Sequence, residues 1–247
     1  MGRGTHGVGI FLHGGAVRLL YCATGSVRRM CGRYMLVAGS EELGTRFRVS
    51  GAAVERYNAA PAQVLPVVRI RQGARELGWL RWGLTPAWAR EDFGGRLINA
   101  RAESLRERPA FRNLLHRQRC LVPATAFYEW APTGQGGKVP YRFFLREQRL
   151  FAMAGLWDQW CNPLTGELLE SFTIITVPAN ALVAPIHDRM PAILLPEAEE
   201  LWLEPDLPLP QVLASLRPYP AEEMECAPVS RRLNNPRNDD PSVLVPD

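Results

Sequence analysis

Short strand-like segments recur along the whole sequence, and helices do not alternate with them. RYMLV (33–37), VLPVVRI (64–70), LGWLRWGL (77–84), RCLVPATAFYEW (119–130), YRFFLR (141–146), LFAMAGLW (150–157) and SFTIITV (171–177) are rich in β-branched and aromatic residues. Gly, Pro or Asn bounds each of them. A doubly wound parallel sheet needs a helix after nearly every strand. Helical patterns are few here: SEELGTRF (40–47) with Ser40 as its cap, RPAFRNLLHRQ (108–118), PEAEELWL (196–203) and LPQVLASL (209–216). The pattern predicts an α+β fold built on antiparallel sheet.

The ends of the sequence read differently. Residues 1–30 are broken by Gly, His and Arg, lack a clear A-x-A cleavage site and end in Met30, just before Cys-Gly-Arg-Tyr. They read as a leader or an over-extended start, with Met30 as the true first residue and Cys31 exposed once it is removed. The polar, proline-broken stretch 234–247 reads as a loose C-terminal tail. PTGQGGK (132–138) reads as a flexible hairpin connection.

Charge is informative once the leader is set aside. The formal net charge is +4, but residues 1–30 hold Arg3, Arg18, Arg28 and Arg29 and no acid. The remainder carries 25 basic residues (29 minus 4) against 25 acidic ones. Nucleic-acid binding would then need a local basic cleft rather than overall charge. No stretch reaches ~18 apolar residues, which excludes a membrane-spanning helix from the expectation. The five cysteines (22, 31, 120, 161 and 226) form no CxxC pair, so reduced thiols in an intracellular setting are expected, with Cys120 and Cys161 buried and inert.

Four groups could carry chemistry. At a chain terminus, Cys31 would offer an α-amine and a thiol two carbons apart. The amine, with a pKa of about 7.7–8.0, is partly neutral near pH 7 and can attack an aldehyde to form a Schiff base. The thiol can then close a five-membered thiazolidine ring. Internally, Cys31 would be only a small residue of an edge strand. His187, in IHDRMP beside Asp188 and Arg189, can shuttle protons near neutrality or serve as a structural hydrogen-bonding group. Glu129 in FYEW is bracketed by aromatics; desolvation would suit it to acid–base work, and plain alternation would point it to water. The last group is the aromatics of LGWLRWGLTPAW together with Asn99 and Arg101 in LINARAES. Trp79 reads as core, whereas Trp82 and Trp88 could stack on unpaired bases, Arg101 could hold phosphate, and Asn99 could orient a nucleophile or cap a turn.

MCGRY (30–34), RYNAAP (56–61), RWGLTPAW (81–88), INARAES (98–104), FYEW (127–130), IHDRMP (186–191) and PVSR (228–231) occur in this order. Together they resemble the SRAP family of abasic-site-processing proteins, across Met30 to about Asn235. The resemblance implies a single domain, residues 31–233, of mostly antiparallel, barrel-like β-sheet with short flanking helices. It implies single-stranded DNA with an abasic site as the partner, and a thiazolidine DNA–protein crosslink formed by terminal Cys31. Asn99 would position Cys31, Glu129 would move protons, and His187 would assist sugar ring opening. Arg33, Arg101 and Arg189 would contact phosphate or sugar, and Asn58, Pro61, Trp82 and Trp130 would shape the cleft. No cofactor and no metal are implied, and a monomer in the cytoplasm, on the nucleoid when DNA-bound, is expected. The rival readings are an autopeptidase that cleaves Met30–Cys31 and a non-catalytic reader of damaged or modified DNA.

Overall fold

The dense β-branched run of 64–70 becomes β3 (Val64–Arg71) and turns through Gln72 and Gly73, at φ of 53° and 81°, into β4 (Ala74–Trp82). Two successive positive φ values give the tight hairpin that matches strand twist. β3 also pairs antiparallel with β6 (Arg119–Ala124), β6 with β9 (Phe151–Cys161), and β9 with β10 (Leu168–Pro178). β10 then runs parallel to β4 through Ser171↔Arg81 and Phe172↔Trp82. The ring β4–β3–β6–β9–β10 is therefore closed, and closure leaves these strands without a free edge to manage. The computed structural model describes residues 32–134 and 136–247. Cys31 and the leader segment expected at 1–30 lie outside them.

A second, fully antiparallel sheet packs beside the barrel in the order β13–β8–β7–β1–β2. Its strands are β1 (Tyr34–Ala38), β2 (Val54–Ala59), β7 (Ala126–Pro132), β8 (Lys138–Leu145) and β13 (Met224–Pro228). The single apolar run 119–130 is thus two strands in two sheets. The chain changes sheet at Thr125, whose N–H donates to the Met35 carbonyl at 2.8 Å and whose hydroxyl accepts from the Val37 N–H at 3.3 Å. The two halves of the fold share one large core, which includes Tyr34, Leu36, Trp82, Phe127 and Phe172.

Of the helices, α1 (Ser40–Phe47), α3 (Pro196–Leu203) and α4 (Leu209–Ala214) fall where the sequence places them, although Ser40 is the first helical residue rather than the cap. Segment 108–118 is mostly successive turns, and only Leu114–Arg117 is helical, as α2. None of the described helices is long and apolar enough to cross a membrane.

Three expectations are corrected. Trp79 is exposed at 46%, because it points outward from β4. Cys161 is exposed at the end of β9, whereas Cys120 is buried, and burial pushes its thiol pKa well above the ordinary value. The tail 234–247 is docked rather than loose. Val243 is buried in a smaller core with Met35, Tyr128 and Leu233, and Asp239 accepts from the Asn58 N–H at 2.8 Å and from Arg56 at 3.0 Å. A polar segment reads as loose when its hydrogen-bond partners lie on a strand far away in sequence.

Candidate active site

RWGL ends β4 at a glycine that cannot be replaced without rearrangement. Gly83 has φ of 120°, and a Cβ there would lie 2.3 Å from the Gly95 Cα. This close approach lets Leu84 bridge to Leu97, which delivers the short strand β5 (Asn99–Arg101) onto β10. β5 is parallel to β10, with Asn99 opposite Ile174 and Arg101 opposite Thr176. The Trp82 indole N–H donates to the Ile98 carbonyl at 2.9 Å and anchors the residue before Asn99. Asn99 is buried, and Arg101 is exposed at the strand end.

His187 reaches the same end of β10 from the following loop. The Asn180 side chain accepts from the Leu182 and Val183 N–H groups, and the His187 N–H donates to the Val183 carbonyl. The loop then returns as β11 (Arg189–Pro191), antiparallel to β10. The Arg189 N–H donates to His187 Nδ1 at 3.0 Å. The Asp188 carboxylate and the Arg189 carbonyl also approach Nδ1, at 3.3 and 3.2 Å, and would need a proton there. A backbone N–H can only donate, so it assigns Nδ1 as an acceptor and leaves the proton of the neutral ring on Nε2.

The Arg189 guanidinium is not a free phosphate hand. It donates to both Glu103 oxygens, at 2.6 and 2.9 Å, and to the Thr176 carbonyl at 2.6 Å, with only 10% of its side chain exposed. Arg189 in turn holds the Glu103 carboxyl below its usual range. Glu103, which sequence reasoning did not single out, therefore ties β5 to the histidine loop. It stands within INARAES, but its partner lies 86 residues away and no local signal links them.

The second group forms around β1 and β7. Tyr34 pairs with Phe127, and the Tyr128 N–H donates to the Arg33 carbonyl at 3.1 Å. Continued by one residue, this register sets Gly32 level with buried Glu129. Arg33 donates through Nη1 to the Asn58 Oδ1 at 3.0 Å and to the Leu233 carbonyl at 2.9 Å, and burial lowers its pKa from the ordinary arginine value. The fully buried Asn58 amide donates to the carbonyls of Leu233, Asn235 and Asn238. Trp130 is half-buried and donates through its indole N–H to Asn234 Oδ1 at 2.7 Å. Pro61 is half-buried in the turn after β2, where Ala62 adopts φ of 69° and donates to the Trp82 carbonyl.

Two rings join the groups. Tyr34, next to Arg33, meets Trp82 edge-on at 5.2 Å, and Trp82 holds Ile98, next to Asn99. Trp82 also stacks on Phe172 at 6.4 Å and is fully buried. Trp82 and Asn58 are thus internal supports of the site, a correction to their expected place on the cleft surface. Among the expected contact residues, Arg101 is exposed, and Arg33, Pro61 and Trp130 are half-buried.

The family description SOS response associated peptidase (SRAP) matches residues 30–236. The chain is 41% identical over 222 residues to the abasic site processing protein YoqW of Bacillus subtilis (strain 168), covering 87% of this chain and 99% of that protein. It is 37% identical over 223 residues to the abasic site processing protein HMCES of Gallus gallus, covering 77% and 66%. A crystal structure of a protein from Bacteroides thetaiotaomicron superposes with a TM-score of 0.80 at 30% identity, covering 88% of this chain and all of that one.

Proposed function

Because the chain belongs to the SRAP family, we propose that it captures abasic sites in single-stranded DNA as a covalent thiazolidine through Cys31, freed as the N-terminal residue. The observation that carries this reading is the β1–β7 register. Continued by one residue, it sets Gly32, the residue after Cys31 in the sequence, level with Glu129.

The ring-opened sugar presents an aldehyde at C1′. The neutral α-amine of Cys31 adds to it, and the carbinolamine loses water to give an imine. The thiol sulfur then bonds to the imine carbon, the C=N electron pair moves to nitrogen, and nitrogen takes the proton. Glu129 carries the two protons that the nitrogen sheds after bonding to C1′, one after the other, to the oxygen, which leaves as water. His187, with its proton on Nε2, donates toward the sugar ring oxygen during opening. Asn99 orients the terminal amine, Arg101 holds a phosphate, and Trp130 offers a face to a neighbouring base. Arg33 and Arg189 act from beneath, holding β1 and the histidine loop. No step calls for a cofactor or metal. The monomeric state and cytoplasmic location remain part of the same proposal.

The test uses three proteins and single-stranded DNA bearing one abasic site, resolved on a denaturing gel. One begins at Met30, one adds Cys31→Ala to it, and one retains an uncleavable leader. A shifted band with the first alone supports the reading. No shifted band with any of them overturns it.

A further inference from the structure

Most arginines of the fold are neutralised by a carboxylate, as in Arg46–Glu199, Arg75–Glu200, Arg81–Asp92 and Arg149–Glu42. One stretch departs from this. Arg90, Arg96, Arg101, Arg106, Arg108 and Arg112 are all exposed, and among the described residues none has a carboxylate within ion-pair distance. Two acids of the same stretch are already committed elsewhere, Asp92 to Arg81 and Glu103 to Arg189. Glu91 and Glu107 remain, with Glu103 also felt by Arg101, to offset six cations.

These side chains project from a fixed scaffold. Leu105, Phe111, Leu114 and Leu115 are buried and pin the stretch to the core. Successive turns order the backbone between them: Glu107 and Arg108 donate to the Ser104 carbonyl, and Arg112 donates to the Arg108 carbonyl. Arg108 and Arg112 stand four residues apart across one such turn and share a face. Arg108 also rests against the Phe111 ring at 5.7 Å. Arg112 lies eleven residues after Arg101, so the exposed arginines are spread along the segment rather than gathered at one point. The stretch begins at the site itself, since Arg101 ends β5 two residues after Asn99.

We infer that Arg106, Arg108 and Arg112 form a phosphate track that continues from Arg101 and holds the DNA strand flanking the abasic nucleotide. A row of exposed, unpaired cations raises the local positive potential and attracts a polyanion. A single strand of nucleic acid supplies repeated charges and needs no particular base sequence. The inference rests on the DNA reading of the site but does not depend on its covalent step.

The test is fluorescence anisotropy with undamaged oligothymidines of about 20 and about 5 nucleotides, using the Met30 form and its R106E/R108E/R112E variant. Loss of three phosphate contacts should lower affinity for the long strand at least 10-fold and reduce the slope of log K against log salt by about 2. The short strand, held at the cleft, should bind both proteins equally. An R106A/R108A/R112A variant with an unchanged melting temperature should show a smaller loss in the same direction. Unchanged affinity and salt slope for the long strand in both variants would overturn the track. A Met30 form that binds the long strand but never crosslinks abasic DNA would sink the covalent proposal and leave the track standing. A Met30 form that binds neither oligothymidine would overturn both.

Discussion

The two carboxylate oxygens of Glu103 take both terminal nitrogens of Arg189, at 2.6 and 2.9 Å, and the same arginine offers its backbone N–H to His187. The catalytic candidate His187 is thereby tied to β5, the strand that carries Asn99 and Arg101. Because Glu103 is half exposed, the pair contributes modestly to stability and more to placement. Glu103→Gln should cost about 1 kcal/mol or less in urea unfolding. It should also slow crosslinking several-fold and shift its pH profile, while Glu103→Asp restores much of the rate. A variant with the wild-type pH profile would refute the placement role.

Acid should weaken the fold through the same class of pairs. Arg189, Arg81 and Arg75 depress the carboxyl pKa values of Glu103, Asp92 and Glu200, in each case chiefly by side-chain hydrogen bonding. A depressed folded-state pKa stabilises above the unfolded value, about 4, and that contribution is lost as pH falls through the folded value. Melting temperature should therefore decline below about pH 4, and the decline should be shallower in Glu103→Gln. Identical profiles would remove Glu103 from the account.

Asn58 is expected to matter far more than a surface asparagine. Its amide donates to three carbonyls of the C-terminal stretch and its Oδ1 accepts from Arg33. Asn58→Ala strands buried carbonyls and should destabilise by about 2–4 kcal/mol. Limited proteolysis should then cut within 234–247 well before the rest of the chain. Resistance equal to wild type would show that Val243 and Asp239 hold the segment unaided.

Trp82 and Trp130 should separate cleanly. Trp82→Ala empties the space between Tyr34 and Phe172 and should cost about 3–5 kcal/mol of stability. Trp130→Ala should cost less stability than Trp82→Ala, because Trp130 is only half-buried against the smaller core, and should weaken binding of unreacted single strand by about 1–3 kcal/mol, the worth of one stacked base. Thermal unfolding and anisotropy on both variants decide this. A Trp82→Ala protein with wild-type stability would contradict the packing.

Glu129→Gln should keep the fold and slow crosslink formation by about 10²-fold or more, since a general acid–base group is lost while shape is retained. Single-turnover kinetics across pH 5–9 is the measurement. A rate within a factor of two of wild type would exclude Glu129 from proton transfer.

Strand content, the absence of βα alternation and three of the four helices were legible in the sequence, because they rest on short-range periodicity and end signals. β5, β11 and the two-residue strand β12 (Ile193–Leu194) were not. Each is three residues or fewer and exists as a strand only because β9 or β10 supplies its partners. The candidate site was proposed from a set of motifs in order, which names Asn99, Glu129 and His187 but says nothing of their surroundings. Arginines in particular look alike in a sequence. Arg101 is exposed, Arg33 is half-buried on Asn58, and Arg189 is buried on Glu103, and only the position of Asn58 and Glu103 in space makes that difference.

By itself the sequence determined that this chain is an antiparallel α+β protein of one family, and it nominated Cys31, Glu129 and His187 as candidates for chemistry. Those follow from residue type and local spacing. The tertiary structure decided which candidates face outward, closed the barrel through the parallel β4–β10 pair, docked the C-terminal stretch on Asn58 and masked Arg189 with Glu103. Each of those outcomes joins residues far apart in sequence. Burial and ion pairing are properties of such contacts, and no local pattern of side chains encodes them.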